Sequence, residues 1–235
     1  MKLIGLLGGM SWETSATYYR MINEMVRRER GHNHAARLLM HSVDFNEIDL
    51  CRRRDDWDEI GRILGQAGRS LQAGGADFIV MASNTMHQIA DHVRSFSGLE
   101  LLHIADPTGF EIRKDGFEKV AMLGTRYTME SQFYPELLAN RYGIEVITPE
   151  YEERAEVNRI IYEELSHGVV RTESRIYVAN LIGRLHERGA QALVLACSEI
   201  TMIVPPDHDI IPVYDTTRLH VRAAVQRSMK DLNHV

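Results

Sequence analysis

The feature that most constrains the fold is an internal repeat, in which residues 75–85 align without a gap on residues 189–199. Each copy begins with Gly-Ala, continues through a run of apolar residues, and ends in small polar residues. Earlier in each half, a glycine-containing segment at Gly8 or Gly124 precedes a predicted helix that carries aromatic residues. Chance explains any one of these similarities, but several in the same order indicate a duplicated α/β unit.

Short apolar runs alternate with longer amphipathic segments along the whole chain. The apolar runs are nearly continuous, as is typical of strands that helices cover on both faces of a parallel sheet. The predicted strands are Leu3–Leu7, Arg37–Val43, Phe78–Ala82, Leu101–Ile104, Val120–Leu123, Glu145–Ile147, Ala192–Ala196 and Ile210–Val213. The predicted helices are Glu13–Glu29, Trp57–Ala73, Met129–Asn140, Glu152–Ser166 and Thr172–Arg188. This alternation favours an α/β fold. We also expect each half to offer a strand that ends in aspartate, at Asp106 and at Asp215.

Composition and charge narrow the class of protein. The 235 residues are 44% hydrophobic and 26% charged, which is ordinary for a globular protein and allows one large domain or two small ones. A formal net charge of −6 gives no attraction to a phosphate backbone, so we expect no nucleic-acid partner. No stretch approaches the ~20 apolar residues of a membrane span, so we expect no membrane partner.

Two features favour a cytoplasmic protein. Only two cysteines occur, Cys51 and Cys197, and nothing else suggests a secreted disulfide scaffold. The apolar run after Met1 is too short for a signal peptide, because it meets Gly8 and then Glu13 with no cleavage-site pattern. We therefore expect the chain in the cytoplasm.

The ends of the predicted strands carry the candidate site. Ligands of open parallel sheets lie beyond the carboxyl ends of strands, so the loops at Gly8, Ser83, Gly124 and Cys197 are expected to face one another across the gap between the halves. At such a strand end, backbone N–H groups and a following helix lower the pKa of a thiol. On position alone, Cys197 is more simply a small apolar residue. Its pairing with the Ser83 loop favours the catalytic interpretation.

Ser83, Asn84 and Thr85 offer two hydroxyls and an amide at the matching strand end. Such side chains hold a carboxylate through directional hydrogen bonds, although all three residue types are also common helix N-caps. His87, in the next turn, either orients this site or packs a helix. The remaining histidines, including His32, lack the spacing of a metal site, so we expect no metal.

Gly8 and Gly9 do not form a nucleotide loop, because neither Gly-x-Gly-x-x-Gly nor a Lys-Ser/Thr ending is present. Small residues there instead let backbone groups of Met10 and Ser11 approach a ligand. The basic run that begins at Arg52 is either a solvated surface or supplies an arginine that pairs with a substrate carboxylate.

Four motifs are distinctive when they are taken together. They are Gly8-Gly9-Met10-Ser11, Ser83-Asn84-Thr85-Met86-His87, Gly124-Thr125-Arg126-Tyr127-Thr128 and Cys197-Ser198-Glu199-Ile200. With them the chain resembles, over essentially its whole length, the aspartate/glutamate racemase family, and most of all the broad-specificity amino-acid racemases of enteric bacteria. The resemblance implies two similar domains, each a parallel four-stranded sheet flanked by helices, related by a pseudo-twofold with the site between them, in a homodimer. We expect the first domain at 1–116 with a C-terminal helix at 216–235, and the second at 117–215.

The resemblance also implies an isomerase that needs no cofactor such as PLP. One cysteine thiolate removes the α-proton of the substrate, and a second, protonated cysteine returns a proton to the opposite face. Hydrogen bonds to the substrate carboxylate stabilise the carbanion. By this resemblance Cys197 and Ser83 are the catalytic residues, and the substrate is a small acidic amino acid, aspartate or glutamate. The expected substrate-binding residues are Met10, Arg52, Asn84, Thr85, Thr125, Ser198 and Glu199.

Two positions depart from the family pattern. Ser83 stands where the family has its first catalytic cysteine, and a serine hydroxyl is hardly ionised at neutral pH. We therefore expect asymmetric catalysis, in which Cys197 abstracts from one enantiomer much faster than Ser83 serves the other. Aspartate-specific members often place a lysine after an Ile-Tyr-Glu helix, whereas Glu164 follows Ile161-Tyr162-Glu163 here. Strict aspartate specificity is therefore not expected.

Two other functions stay open. A single-cysteine decarboxylase of substituted malonates would protonate an enediolate after loss of carbon dioxide. Its aryl substrates need a large apolar pocket, whereas the polar residues at Ser83–Thr85 favour an acidic amino acid. A non-catalytic amino-acid-binding protein would account for the absence of one cysteine, but the presence of Cys197 within its full motif argues against it.

Overall fold

The computed structural model of the chain describes residues 1–31, 33–205 and 209–230. These residues form two compact units. The first unit comprises Met1–Ile104 and the described residues of His220–Val235, and the second comprises Ala105–Leu219. Each unit contains one parallel four-stranded sheet flanked by helices. The predicted α/β fold with two similar parallel sheets is therefore confirmed.

The described residues up to Ile104 form four strands and four α-helices of the first unit. Its strands are β1 (Ile4–Gly8), β2 (Leu38–Ser42), β3 (Phe78–Met81) and β4 (Leu101–Leu102). Its helices are α1 (Trp12–Arg30), α2 (Phe45–Arg53), α3 (Trp57–Ala73) and α4 (Ala90–Ser97), with a short 3₁₀ helix at Thr85–Ile89. The sheet order is β2-β1-β3-β4. The central strands β1 and β3 are fully buried and pair in register, with Leu7 beside Met81, so their carboxyl ends lie side by side.

The second unit repeats this arrangement. Its strands are β5 (Lys119–Gly124), β6 (Glu145–Ile147), β7 (Ala192–Ala196) and β8 (Val213–Asp215). Its helices are α5 (Ala105–Lys114), α6 (Arg126–Glu130), α7 (Phe133–Tyr142), α8 (Tyr151–Arg159) and α9 (Thr172–Glu187), with a short 3₁₀ helix at Glu199–Met202. The sheet order is β6-β5-β7-β8, which matches that of the first sheet strand for strand. Gly124 of β5 lies beside Ala196 of β7, so the carboxyl ends of the two central strands are again neighbours.

Helix α3 illustrates how local sequence sets an element. The Asp56 carboxylate accepts a hydrogen bond from the Glu59 N–H at 3.1 Å and caps the start of the helix, and Gly74 follows its last turn. Its buried face recurs at helical spacing and packs in the core of the first unit. The large residues of that face are Ile60, Leu64 and Leu71.

Helix α10 (Thr216–Met229) returns the chain to the first unit. Its apolar residues Val221, Ala224 and Val225 are buried in one cluster with residues of α1, β1 and β3. The Lys2 N–H donates to the Ser228 carbonyl at 2.8 Å. The first unit is thus assembled from two segments of the sequence, and the whole second unit lies between them in the sequence.

Two expectations about strands need correction. β8 begins at Val213 and not at Ile210, because Pro212 has no backbone N–H to donate to the ladder with β7. Asp215 ends β8 as predicted, but Asp106 lies in the first turn of α5, since β4 already ends at Leu102.

Two predicted helices are each interrupted. The segment over residues 129–140 belongs to the two helices α6 and α7, because Pro135 is tolerated only in the first turn of a helix, and α7 accordingly starts at Phe133. The segment over residues 152–166 is α-helical only as far as Arg159, after which a π-helical turn covers Ile160–Glu164. Helices α2, α4 and α5 are additional to the predicted ones.

Candidate active site

Ser83 lies in the loop after β3, two residues beyond Met81 and two before the short helix that starts at Thr85. Its hydroxyl oxygen accepts a hydrogen bond from the Met86 N–H at 3.4 Å. Its carbonyl oxygen accepts one from His87 Nδ1 at 2.6 Å. The hydroxyl thus helps to cap the short helix, and because Ser83 is only half-buried, it remains partly accessible.

Three buried histidines, His87, His103 and His220, pack together next to this loop. The His87 ring meets His103 and His220 edge-on, with ring centroids 4.7 and 5.5 Å apart. The Tyr18 hydroxyl and the Leu102 carbonyl each lie 2.9 Å from a ring nitrogen of His220. Burial, and then the neighbouring His103, lower the pKa of His87 well below its usual value, so the ring is neutral and its Nδ1 carries the hydrogen given to the loop carbonyl. His87 therefore packs among buried side chains and is bonded to the Ser83 loop, whereas a role in orienting a substrate site stays a prediction.

Asn84 and Thr85 continue the same loop. Asn84 is buried and Thr85 is half-buried. The fold therefore holds the three polar residues Ser83, Asn84 and Thr85 together at the carboxyl end of β3, which is where the sequence placed them.

Cys197 follows β7 directly and is 7% exposed. Its thiol donates to Oε2 of Glu199 at 2.9 Å, and the Ser198 hydroxyl donates to the same oxygen at 2.8 Å. The backbone N–H groups of Glu199 and Ile200 also bond to the thiol sulfur. The sulfur is thus held between hydrogen-bond donors of the backbone and a carboxylate acceptor.

Opposing effects set the pKa of the Cys197 thiol. Burial is the largest, and together with the charge of Glu199 it raises the pKa well above the usual value for cysteine. The two backbone N–H bonds act in the opposite direction and are outweighed. The backbone N–H groups at the strand end thus lower the pKa of Cys197, as expected, but burial and Glu199 raise it by more. The resting thiol is therefore protonated.

The glycines at the end of β1 have a packing reason. Gly9 has a φ of 92°, and a Cβ atom added there would lie 2.1 Å from the Val43 carbonyl oxygen. The Gly9 N–H donates to the Ser15 hydroxyl oxygen at 2.8 Å. These contacts require glycine whether or not a ligand approaches this loop.

Met10 and Ser11 come next in the chain. Met10 is half-buried and packs against the core of the first unit. The Ser11 hydroxyl oxygen accepts from the Thr14 N–H at 3.3 Å and caps α1. Both residues thus have structural contacts of their own at the carboxyl end of β1.

Thr125 and Thr128 occupy the corresponding place in the second unit. Their hydroxyl oxygens lie 3.2 Å apart at the start of α6, directly after β5. Thr128 is buried and Thr125 is half-buried, so Thr125 is the more accessible of the two. Since β5 and β7 are neighbours, Thr125 and Cys197 follow adjacent strand ends of one sheet.

Comparison with known proteins accounts for this arrangement. The family model of Asp/Glu/hydantoin racemases matches residues 7–224, which is most of the chain. The chain belongs to the Asp/Glu/hydantoin racemase family. It is therefore an isomerase of the racemase type.

Several relatives of this racemase are similar over nearly their full length. A candidate Asp/Glu racemase from Yersinia pestis has 45% identity and a TM-score of 0.92, covering 97% of this chain and 100% of that chain. An aspartate racemase homologue from Pyrococcus horikoshii OT3 has 31% identity and a TM-score of 0.84, covering 97% and 99%. A broad specificity amino-acid racemase of Bacillus subtilis (strain 168) is 22% identical over 234 residues, which cover 95% of this chain and 96% of that one.

Arg52 of this racemase already has a carboxylate partner. Arg52 and Asp49 form a largely buried ion pair on α2, and the exposed Arg53 adds a second contact to Asp49 through its Nε at 2.7 Å. Arg54 is exposed and ends the helix. Any substrate carboxylate at Arg52 would therefore share its guanidinium with Asp49.

Asp49 and His220 are functional-site candidates that the sequence analysis did not single out. The spacing of Asp49 from Arg52 and Arg53 is that of neighbours on one helix face, so charge patterning gives a usable signal. His220 has no local signal, because its partner Tyr18 is 202 residues away in the sequence.

Within the described residues, no group of three or more His, Cys, Asp or Glu side chains is arranged to hold a metal ion. No helix in that part of the racemase has the length and apolar character required to cross a membrane.

Proposed function

We propose that this racemase acts on aspartate or glutamate, without a cofactor, by proton transfer at the α-carbon. Membership of the family supports a racemase, and two relatives above 30% identity are named for aspartate or for Asp/Glu. The observation that carries the proposal is the position of the Cys197 thiol. It is the first residue after a fully buried central strand and is bonded on one side to a carboxylate.

Cys197 is the base of the proposed reaction. Its thiolate removes the α-proton from one face of the substrate, while Ser83, which follows the matching strand of the first sheet, serves the other face. The mechanism requires both groups to reach one α-carbon. A hydroxyl is a far weaker acid than a thiol, so reactions that begin at Ser83 are the slower ones, and the two enantiomers react at unequal rates.

Polar groups beside the two catalytic residues would bind the substrate. Asn84 and Thr85 follow Ser83 in the chain, whereas Thr125 and Ser198 lie just beyond the ends of β5 and β7. Hydrogen bonds from such groups to the α-carboxylate stabilise the carbanion that proton removal creates. We assign Arg52 to the side-chain carboxylate of the substrate, because bidentate pairing suits arginine. We assign the backbone groups of Met10 to a further contact with the substrate.

The proposal includes a homodimer in the cytoplasm. Both cysteines of the chain, Cys51 and Cys197, are free thiols, which is the usual state in a reducing compartment. Light scattering at micromolar concentration tests the dimer, since a monomer mass contradicts it.

The experiment that tests the function is α-proton exchange in D₂O, followed by NMR, with each enantiomer of aspartate and glutamate. We expect exchange with at least one of these acids, at unequal rates for its enantiomers. The Cys197→Ala protein should exchange more slowly by at least about 10²-fold, whereas the control Cys51→Ala should match the original protein.

Other results would count against this function. Equal exchange rates for both enantiomers contradict the asymmetry, and undiminished exchange by Cys197→Ala contradicts the role of the thiol. Binding of glutamate with no exchange at all points to an amino-acid-binding protein. Release of carbon dioxide from a substituted malonate points to a decarboxylase.

A further inference from the structure

A cavity of about 440 Å³ lies at the outer edge of the second sheet. It is lined by Thr148, which comes directly after β6, and by residues from the end of α6 and the first turns of α7 and α8. In the sheet order β6-β5-β7-β8, strand β5 stands between β6 and the strand that precedes Cys197. The lining lies within residues 129–154 and includes neither Thr125 nor Cys197. This cavity is therefore separate from the candidate active site, and it has the size of a small-molecule site.

Arg154 gives this cavity a positive charge. Its side chain is only 23% exposed, and its Nε is buried with no hydrogen-bond partner among the residues that the structure describes. The Nε lies 3.6 Å from Oε1 of Glu130, which is too long for a hydrogen bond. A buried donor without a partner costs free energy, so the guanidinium lacks an acceptor for which the cavity has room.

The carboxylates near Arg154 are bound to other arginines. The same Oε1 of Glu130 accepts a hydrogen bond from Arg126 Nε at 2.9 Å. Arg126 is held in turn by Tyr151, whose ring centroid lies 5.1 Å from the guanidinium carbon. Glu152 does not face Arg154, because residues two apart lie on different sides of a helix. Two further carboxylates at the start of α8 have arginines of their own, Glu150 with Arg188 and Glu153 with Arg184.

The other lining groups indicate which kind of anion fits. Met129, Pro135 and Val146 give the cavity an apolar wall. A guanidinium binds a carboxylate through two parallel hydrogen bonds, and an apolar group attached to that carboxylate would cover the wall. The described lining offers one basic side chain, that of Arg154, so a second negative group on the ligand would have no partner. A monocarboxylate therefore fits better than a dicarboxylate.

We propose that this cavity is a second binding site, which takes a small organic monocarboxylate with its charged group on Arg154 and its apolar part on Met129, Pro135 and Val146. The bound carboxylate supplies the acceptor that the buried Nε lacks. The ligand differs in charge from the acidic amino acids that we propose as substrates. It also binds beside the edge strand β6, whereas the catalytic thiol follows the central strand β7.

The test is an NMR titration that follows the backbone N–H signals while isovalerate, a monocarboxylate with a branched apolar group, is added. We expect saturable changes at Val146 and Thr148. Isovaleramide has nearly the same shape without the charge and should cause much smaller changes. The Arg154→Gln protein should bind isovalerate at least about 10-fold more weakly, because charge-assisted hydrogen bonds are lost. The control Arg175→Gln removes an exposed arginine of the same unit and should bind isovalerate as the original protein does.

Several results would overturn this site. One is the absence of saturable changes at about 10 mM isovalerate, where a site of millimolar affinity is mostly occupied. Undiminished affinity in Arg154→Gln is another, as are changes confined to the residues after β7, which place the anion at the candidate active site. Inorganic phosphate that binds as tightly as isovalerate would show that the apolar wall selects nothing. If Arg154→Gln does not fold, the original protein decides, because equal binding of isovalerate and isovaleramide excludes a role for the charge.

Discussion

The loops after β3 and β7 occupy the same place in two sheets of the same order, yet their surroundings differ in charge. Near Ser83, the neutral His87 donates to the Ser83 carbonyl oxygen, and the Ser83 hydroxyl oxygen accepts from the Met86 N–H. By contrast, the Cys197 thiol donates a hydrogen bond to the Glu199 carboxylate. The comparison teaches that a duplicated fold can repeat the position of two strand-end loops while giving the residue in each loop different hydrogen-bond partners.

Among the variants that test this comparison of the two loops, Ser83→Cys has the largest expected effect. A thiol ionises far more readily than a hydroxyl, so proton exchange of the slower enantiomer should rise by about 10²-fold. The faster enantiomer, which depends on Cys197 as base, should change much less. Deuterium incorporation into L- and D-glutamate measures both rates, and a variant that keeps the original ratio of rates would show that the asymmetry does not come from Ser83.

Gly9→Ala tests whether the ends of β1 and β5 are equally constrained. Alanine at a φ of 92°, with its Cβ atom 2.1 Å from the Val43 carbonyl oxygen, should lower the free energy of unfolding by about 3 kcal/mol. Gly124→Ala should cost about 1 kcal/mol, since its φ is not positive and its nearest contact is 3.0 Å.

Urea denaturation measures the stability losses of Gly9→Ala and Gly124→Ala and assigns each loss to its unit. Both tryptophans, Trp12 and Trp57, lie in the first unit, so their fluorescence follows that unit, whereas far-ultraviolet circular dichroism follows both. Equal losses of stability in Gly9→Ala and Gly124→Ala would contradict the expectation that the end of β1 is more constrained than the end of β5.

His87→Gln has the smallest expected effect and concerns pH. The pKa of His87 is lowered in the folded chain, so below about pH 6.5 the unfolded chain binds a proton that the folded chain does not. The free energy of unfolding therefore falls with acidification, by up to about 1.4 kcal/mol per pH unit from this residue. His87→Gln should flatten that dependence, measured by tryptophan fluorescence between pH 7.5 and 5.5.

The exposed His34 supplies the control for this pH effect. His34→Gln belongs to the same unit and should leave the pH dependence unchanged. An unaltered slope in His87→Gln would mean that other groups, such as His103 or His220, set the acid sensitivity of the first unit.

Elements with a strong local pattern were predictable from the sequence. The helix Trp57–Ala73 and the strand Ala192–Ala196 have the predicted bounds, because their apolar spacing and caps are local. The break before α7 was missed, although Pro135 signals it, since the apolar pattern runs on through the break. The four motifs placed the candidate residues at strand ends, as the strand pairing confirms for β3 and β7.

What could not be predicted depends on distant partners or side-chain direction. The bond between Tyr18 and His220 joins residues 202 apart in the sequence, so no window of residues contains its signal. The direction of the Glu199 carboxylate, toward the Cys197 sulfur, is a rotamer choice set by packing and hydrogen bonds. The sequence led us to expect a lowered pKa for Cys197, whereas burial raises it. Burial depends on the packing of the whole core and has no local signal in the sequence.

The return of α10 to the first unit has a consequence for the order of folding during synthesis. Every residue of the second unit, Ala105–Leu219, is made before Val221, Ala224 and Val225, which complete a cluster around β1 and β3. The first part of the chain to be translated must therefore wait for one of the last helices, while the second unit already has all of its strands. In this chain, the unit that carries Cys197 can reach its native form on the ribosome ahead of the unit that carries Ser83.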